Sequence, residues 1–460
     1  MKLATGITIA LLFACAGSNA AEPGNDVAPK IQLLTLDPGH FHAALVQKVM
    51  YPEVSPLVHV YAPRGSDLDE HLARLDGFNA RPTQPTHWQE KIYAGPDFLE
   101  RMVQEKPGNV VVISGNNTRK TEYILRSVTA GLNVLADKPM AITPVDFQTL
   151  RRAMAIASGK KLLVGDIMTE RYEIATILQR ELAGLPEVFG VLQPGSLEEP
   201  AVVMESVHYF LKEVAGKPLR RPAWFFDVRQ EGEAIPDVGT HLMDLAQWEC
   251  FPDQALDWQQ DIKVERAQRW PTSIDLPQFQ RLTGCSTFPA FLAKDVDASG
   301  RLEVFANGEV EYRLRNIHVK LTALWKFEPP PGGQDTHYSV LRGTRATLII
   351  RQGPEEHHKP VLYVETSEPA SATDFEQKLR AAVTRLAERF PELRLERAGV
   401  AWKVVIPDRY HVGHEAHFAQ VTERFLRGLA KEDLPDSELP NILAKYYTTT
   451  EAYRLSHSAR

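Results

Sequence analysis

The feature that most restricts the fold is an alternation of short β-rich runs with helical runs between Lys30 and Asp166. The β-rich runs fall at Ile31 to Leu36, Val58 to Tyr61, Val110 to Ser114, Asn133 to Ala136 and Lys161 to Gly165. Most are continuously apolar, as strands covered on both faces are. Helical patterns lie between them at Phe41 to Val49, Phe98 to Gln104, Thr121 to Ala130 and Val145 to Ala157. The alternation predicts a doubly wound parallel sheet with helices on its faces. Ligands of such sheets sit beyond the carboxyl ends of the strands, so the loops there carry the candidate site.

Beyond Asp166 the pattern changes. A helix is expected over Tyr172 to Leu182 and a strand over Val188 to Gln193, followed by the segment Trp224 to Trp248. β-rich runs then follow at Asp261 to Gln268, Arg301 to Phe305, Val310 to Leu314, His318 to Phe327, His337 to Leu341, Ala346 to Arg351 and Pro360 to Glu365. Few helices separate them, and Asn307-Gly308 has the form of a hairpin turn, which favours antiparallel pairing. Helices return at Asp374 to Phe390, Glu415 to Leu429 and Pro440 to Leu455. The expected fold is α/β: an N-terminal Rossmann-like doubly wound parallel sheet over residues 30–166, then an α+β domain over 167–460 with a large open, mainly antiparallel sheet.

Met1-Lys2, the apolar run Ile7 to Ala16 and the small residues Ser18 to Ala21 predict a secretory signal peptide over residues 1–21, and so an exported, periplasmic protein. Cys15 offers a lipid anchor as an alternative. After cleavage only Cys250 and Cys285 remain, which excludes a disulfide framework and a cysteine zinc site. A net charge of -7 without a clustered basic face argues against nucleic acid as a partner.

Three loops at strand ends are candidate cofactor contacts: Asp37, Gly39, His40, Phe41 and His42 after the first strand; Ser114, Asn116 and Asn117 after Val110 to Ser114; and Asp137 with Lys138 after Asn133 to Ala136. The first lacks the spaced glycines of a dinucleotide loop, keeping only Gly39. Arg64 either faces a 2′-phosphate or is a solvated loop residue. Pro139 keeps Lys138 out of a following helix, where its ammonium can polarise a substrate hydroxyl or simply lie at the surface. Asp237 and His241, one helical turn apart, can form an acid/base pair in which the carboxylate orients the imidazole. Lys212, Lys217, Arg220 and Arg221 precede Trp224 and are either a substrate-binding approach to His241 or a solvated loop. His411, His414, Glu415 and His417 are spaced so as to permit a metal, but caps and domain contacts use such residues more often, and no metal is expected.

Leu135-Ala-Asp-Lys-Pro139 followed about a hundred residues later by Asp237-x-x-x-His241-x-x-Asp244 resembles the Gfo/Idh/MocA oxidoreductases. Leu36 to His42, Arg221 to Asp227, Val412 to Phe418 and Ala444 to Thr450 are similar to stretches of its exported bacterial branch, which carries a distinct C-terminal domain. The resemblance implies Lys138, Asp237 and His241 as the catalytic group, NAD or NADP as cofactor, and a carbohydrate or cyclitol oxidised at a secondary alcohol. It also implies homo-oligomers formed through the open sheet. Export makes free cofactor scarce, so two alternatives stand beside the dehydrogenase. One is a glycosidase or lyase that oxidises its sugar transiently with a retained NAD; the other is a sugar-binding protein that has lost the cofactor.

Overall fold

In the computed structural model of the chain, residues 31–214, 217–367, 372–431 and 437–458 are described. The expected export segment, residues 1–21 with Cys15, lies outside them. Strands β1 (Leu33–Leu36), β2 (Leu57–Ala62), β3 (Gln89–Ala94), β4 (Val110–Ile113), β5 (Asn133–Ala136) and β6 (Val164–Asp166) form a six-stranded parallel sheet in the order β3-β2-β1-β4-β5-β6. The order reverses between β1 and β4, which puts the ligand crevice of such a sheet at the loops that follow these two strands. The connecting helices are α1 (His42–Leu45), α2 (Ser66–Ala80), α3 (Phe98–Glu105), α4 (Lys120–Thr129) and α5 (Pro144–Gly159).

Helix α6 (Ile174–Ala183) leads into β7 (Val202–Tyr209), the small hairpin β8 (Glu213–Val214) and β9 (Lys217–Pro218), and helices α7 (Ala234–Asp237) and α8 (Gly239–Cys250). Then come β10 (Ile262–Ile274), α9 (Leu276–Thr283), β11 (Leu302–Leu314), β12 (Ile317–Lys326), β13 (Thr336–Arg342), β14 (Ala346–Gln352), β15 (Val361–Thr366), α10 (Ala372–Arg389), β16 (Arg394–Ala398), β17 (Ala401–Val405), α11 (His414–Lys431) and α12 (Glu438–Ser458). Nine strands make the second sheet, β10-β11-β12-β7-β13-β14-β15-β17-β16, in which β12 and β7 pair in parallel and the other pairs are antiparallel.

Alternation along the first strands sorts the two halves of its core. Leu34, Leu36, Val111, Ile113, Val134 and Ala136 pack with α3, α4, α5 and residues Ile442 and Tyr446 of α12. On the other face Leu33, Val58, Val110, Val112 and Leu135 pack with Phe418, Val421, Phe425 and Leu426 of α11. The expected helix over Phe41 to Val49 shrinks to four residues, and helix α11 from the far end of the chain covers that face with it. Helix α2 and the edge strand β3 were not expected. Both are mostly polar, and only Leu68, His71 and Leu75 of α2 are buried.

Two expectations fail in the second sheet. Val188 to Gln193 is not a strand; the chain turns there through Gly190 at φ +76°, and the strand forms later as β7. Asn307-Gly308 is not a hairpin turn but the middle of β11. The Asn307 amide donates to Thr272 Oγ1 at 2.8 Å and its oxygen accepts from Trp325 N at 3.0 Å, so the side chain is held by two neighbouring strands. A Cβ on Gly308 would come within 2.8 Å of Ile235, so glycine is there for close packing.

Candidate active site

The loops after β1, β4 and β5 converge on Asp137. Its Oδ2 lies 2.8 Å from His42 Nδ1, accepts from Ser114 Oγ at 2.9 Å and lies 3.6 Å from His40 Nδ1. Lys120, fully buried in α4, donates to the Asp137 backbone oxygen at 2.9 Å. Burial works against the Asp137 carboxylate, but His42, Lys120 and His40 together hold it well below the usual range. Burial also lowers both imidazoles, His42 from its ordinary value and His40 well below it. Phe41 packs against both rings, with centroids 4.6 Å from His40 and 4.4 Å from His42, which are themselves 4.1 Å apart. Asp37 stands apart and accepts from Tyr123 at 2.7 Å.

Lys138 reaches the second domain, where its ammonium pairs with Asp237 Oδ1. Asp237 Oδ2 accepts from Trp325 Nε1 of β12 at 3.2 Å. Burial alone would depress Lys138, yet the nearby carboxyl groups of Asp237, Asp137 and Glu231 overcome it and hold the amine above its ordinary range. The expected Asp237–His241 pair does not form in this geometry, although Val238 between α7 and α8 keeps helical dihedrals, because the Asp237 carboxylate is turned to Lys138 and Trp325. His241 Nδ1 is buried without a hydrogen-bond partner. Burial and the charge of Lys138 lower its pKa to about 3, so the ring is neutral with a free lone pair.

Glu231, which sequence reasoning missed, completes this group. It is 6% exposed, and burial followed by repulsion from Asp237 lifts its carboxyl well above the usual range, which favours the protonated acid. Its place in the run Gln230-Glu-Gly-Glu233 looks like solvated charge. The only local sign of something else is Gly232, at φ +109°. Asn117 fixes the segment, its amide donating to Glu231 O at 2.7 Å and its backbone N–H to Gln230 O at 2.9 Å. Asn116 donates to Gln230 Oε1 at 2.6 Å. Across β1, Trp224 Nε1 donates to Asp67 Oδ2 at 2.9 Å, directly over Gly39.

The remaining candidates divide. Arg221 is not free for a substrate: its guanidinium is buried, donates to Phe210 O at 3.0 Å and stacks 4.4 Å from Phe225 and 4.9 Å from Trp325. Arg220 and Arg64 are exposed. Lys212 pairs with Asp335 at 2.7 Å, beside His208 at 3.0 Å; side-chain detail for Lys217 lies outside the described residues. His411, His414, Glu415 and His417 do not converge. His411 faces Glu173 at 3.4 Å, Glu415 pairs with Lys48, and His417 is buried with Nε2 unpartnered. His414 stands 5.4 Å from His42, ring to ring. Asp244 lies behind the site in a buried network, bound by Arg171 at 2.5 and 2.6 Å and by Lys445 at 2.8 Å, with Lys445 also 2.7 Å from Asp166.

Residues 178–457 match the family described as "Putative oxidoreductase C terminal domain". A crystal structure described as a putative oxidoreductase from Parabacteroides merdae superposes with a TM-score of 0.92 at 50% identity, covering 94% of this chain and 98% of that one. KijD10, a 3-ketoreductase from Actinomadura kijaniata in complex with NADP and TDP-benzene, gives a TM-score of 0.54 at 14% identity over 93% of this chain and 97% of its own. GenD2 from gentamicin A biosynthesis, in complex with NAD, gives 0.56 at 14% identity over 96% and 98%. The last two likenesses are of fold alone. No curated protein matches the chain.

Proposed function

This chain belongs to the family with the "Putative oxidoreductase C terminal domain", and from that premise we propose that it is an oxidoreductase of the Gfo/Idh/MocA type that moves hydride between a nicotinamide cofactor and a secondary alcohol carbon of a carbohydrate or cyclitol. One observation carries the proposal. At the crevice of the parallel sheet, a cation fixed by a carboxylate, Lys138 on Asp237, lies within electrostatic reach of a neutral imidazole with a free nitrogen, His241.

The loops suit a dinucleotide despite the missing glycines. A Cβ on Gly39 would lie 2.9 Å from Asp67 Oδ2 and 3.4 Å from Asn116 N, and one on Gly115 would lie 2.1 Å from Asp37 O. Glycine is therefore kept at the two points where backbone crowds the crevice. Asp67 supplies the acid absent from the end of β2: its carboxylate comes back over Gly39, where a ribose diol can be held and a 2′-phosphate repelled. NAD is the cofactor this favours. That two proteins of the same fold hold NADP and NAD supports a nicotinamide here.

The bound nicotinamide would take or return the hydride; the protein handles the proton. Lys138 donates to the substrate hydroxyl and lowers its pKa, Asp237 and Trp325 keep that ammonium aimed, and His241 Nδ1 accepts the proton as the carbonyl forms. To test this, the purified chain is denatured and the small molecules released are identified by mass, with titration of NAD and NADP alongside. NAD is expected; finding neither nucleotide by either route refutes the proposal. Lys138→Ala and His241→Ala should each lower turnover about 10²–10⁴-fold with the fold intact.

A specific feature favours transient oxidation as a second reading. Bonds from Trp224 to Asp67, Asn116 to Gln230 and Asn117 to Glu231 tie the start of α2 and the segment after β4 to the second domain, which suits a cofactor held through many turnovers. In an exported enzyme this meets the scarcity of free nicotinamide, and protonated Glu231 can supply a leaving-group proton. Aryl glycosides should then be cleaved without accumulation of reduced nicotinamide. Stoichiometric reduction of added NAD with the glycosidic bond intact excludes it.

A further inference from the structure

The cluster around Asp137 asks for more than a hydrogen bond. Each of His40, His42 and Asp137 offers a ligand atom within 4.8 Å of the other two, and His42 and Asp137 are 6% and 3% exposed. His40 Nδ1 and His42 Nδ1 both face the same carboxylate oxygen, at 3.6 and 2.8 Å. His40 Nδ1 accepts a long 3.4 Å hydrogen bond from His42 N, so this nitrogen carries a lone pair rather than a proton. One proton between His42 and Asp137 serves those two groups and leaves His40 outside; a cation at the centre would serve all three.

We infer that His40, His42 and Asp137 form a binding site for a divalent transition-metal ion of the zinc type. Two imidazoles and one carboxylate are a donor set that Zn²⁺ accepts, and three protein ligands leave a fourth position for water or a substrate oxygen. With bonds of roughly 2.0–2.2 Å in tetrahedral array, ligand atoms lie roughly 3.3 Å apart. The 3.6 Å His40–Asp137 separation is already close to that, and the 2.8 Å His42–Asp137 contact opens slightly as the metal replaces the shared proton. Outer partners are in place: Ser114 donates to Asp137 at 2.9 Å, and the ring of Phe418 packs 4.6 Å from that of His42. His414, exposed at the start of α11, stands on the solvent side, its ring 5.4 Å from His42. Lys120 and Lys138 oppose a cation here, and the carboxylates of Asp137 and Asp237 offset them.

The test uses Co²⁺ as a spectroscopic stand-in and needs neither nicotinamide nor substrate, so its outcome is separate from that of the hydride-transfer proposal. The full chain is stripped with chelator and titrated with Co²⁺, and Zn²⁺ binding is then measured by competition. Stoichiometric binding with the intense visible bands of a four-coordinate site is expected, together with displacement by Zn²⁺. His40→Ala and the milder His42→Gln should each weaken binding at least about 10-fold, with circular dichroism confirming the fold. Absence of those bands in the unmodified chain overturns the inference, as does undiminished binding in a folded His40→Ala variant.

Discussion

Lys445→Met tests how the C-terminal helix is locked behind the site. The Lys445 side chain is 1% exposed and lies 2.7 Å from Asp166 Oδ2 and 2.8 Å from Asp244 Oδ1. Removing one member of a buried ion pair costs about 3–5 kcal/mol, because the other charge is left without compensation. Asp244 keeps Arg171 at 2.5 and 2.6 Å, whereas Asp166 keeps only the Tyr446 hydroxyl at 3.0 Å. With methionine filling most of the volume, about 3 kcal/mol is expected, at the lower end of that range. For 460 residues unfolding together at about 2.1 cal/mol/K per residue, the Tm falls by about 3 °C, and by more if a smaller unit unfolds. The pH dependence has a definite sign. Burial already raises Asp166 and Lys445 is the main group holding it down, so the variant raises its folded pKa further. A raised carboxyl stabilises below the unfolded value of about 4 and loses that contribution as pH rises. The difference from the parent should therefore be small near pH 4 and full by pH 7, measured by calorimetry across that range. Adding Asp166→Asn should recover most of the loss. An unchanged Tm at pH 7, or a difference that shrinks as pH rises, refutes the reasoning.

Two further outcomes follow from buried titrating groups. His71 is 2% exposed with both ring nitrogens unpartnered, and burial lowers it to about 4; its stabilising contribution is full above the unfolded value of about 6.5 and is lost as pH falls toward 4, about 3 kcal/mol in all. His71→Phe should accordingly flatten the fall in Tm over that window, and an unaltered slope counts against the assignment. Glu231→Gln replaces a buried acid with an uncharged amide of nearly the same shape, so thermal stability should hold within about 1 kcal/mol, while under transient oxidation glycoside cleavage should fall about 10²-fold or more, read by release of the aryl leaving group.

The parallel sheet was legible because its central strands are short and apolar on both faces, and Asp137-Lys138 was legible because Pro139 stops the chain from continuing as a helix. Edge strand β3 escaped because none of its residues is buried and its first half, Gln89-Glu90-Lys91, is polar. Asn307-Gly308 misled for a related reason: a turn signal carries no information about partners far along the chain, and here Thr272 and Trp325 hold the asparagine in a strand. Asp237 and His241 have the spacing of a helical pair, but spacing does not say which partner a side chain takes. Lys138 and Trp325, from elsewhere in the chain, take Asp237 and leave His241 Nδ1 unpartnered. Glu231 was illegible because its burial comes from Asn117 and the loop after β4, more than a hundred residues earlier.

The departures from a standard dinucleotide loop have a common cause at the other end of the chain. In such loops the third small residue lets the first helix pack closely on its strand, and here that position is His42, whose imidazole is too large for this. The helix accordingly stops after four residues, and the exposed face of the sheet is taken by α11, with Phe418 against the His42 ring at 4.6 Å. Helix α12 makes the corresponding contact on the other face, where Lys445 and Tyr446 bind Asp166 at the end of β6. The stretches Asp37 to His42, Val412 to Phe418 and Ala444 to Thr450 thus belong to one structural unit spread over the whole chain. Neither half of the protein can shape the crevice alone, since the loop that meets the cofactor is shaped by helices from beyond the second sheet.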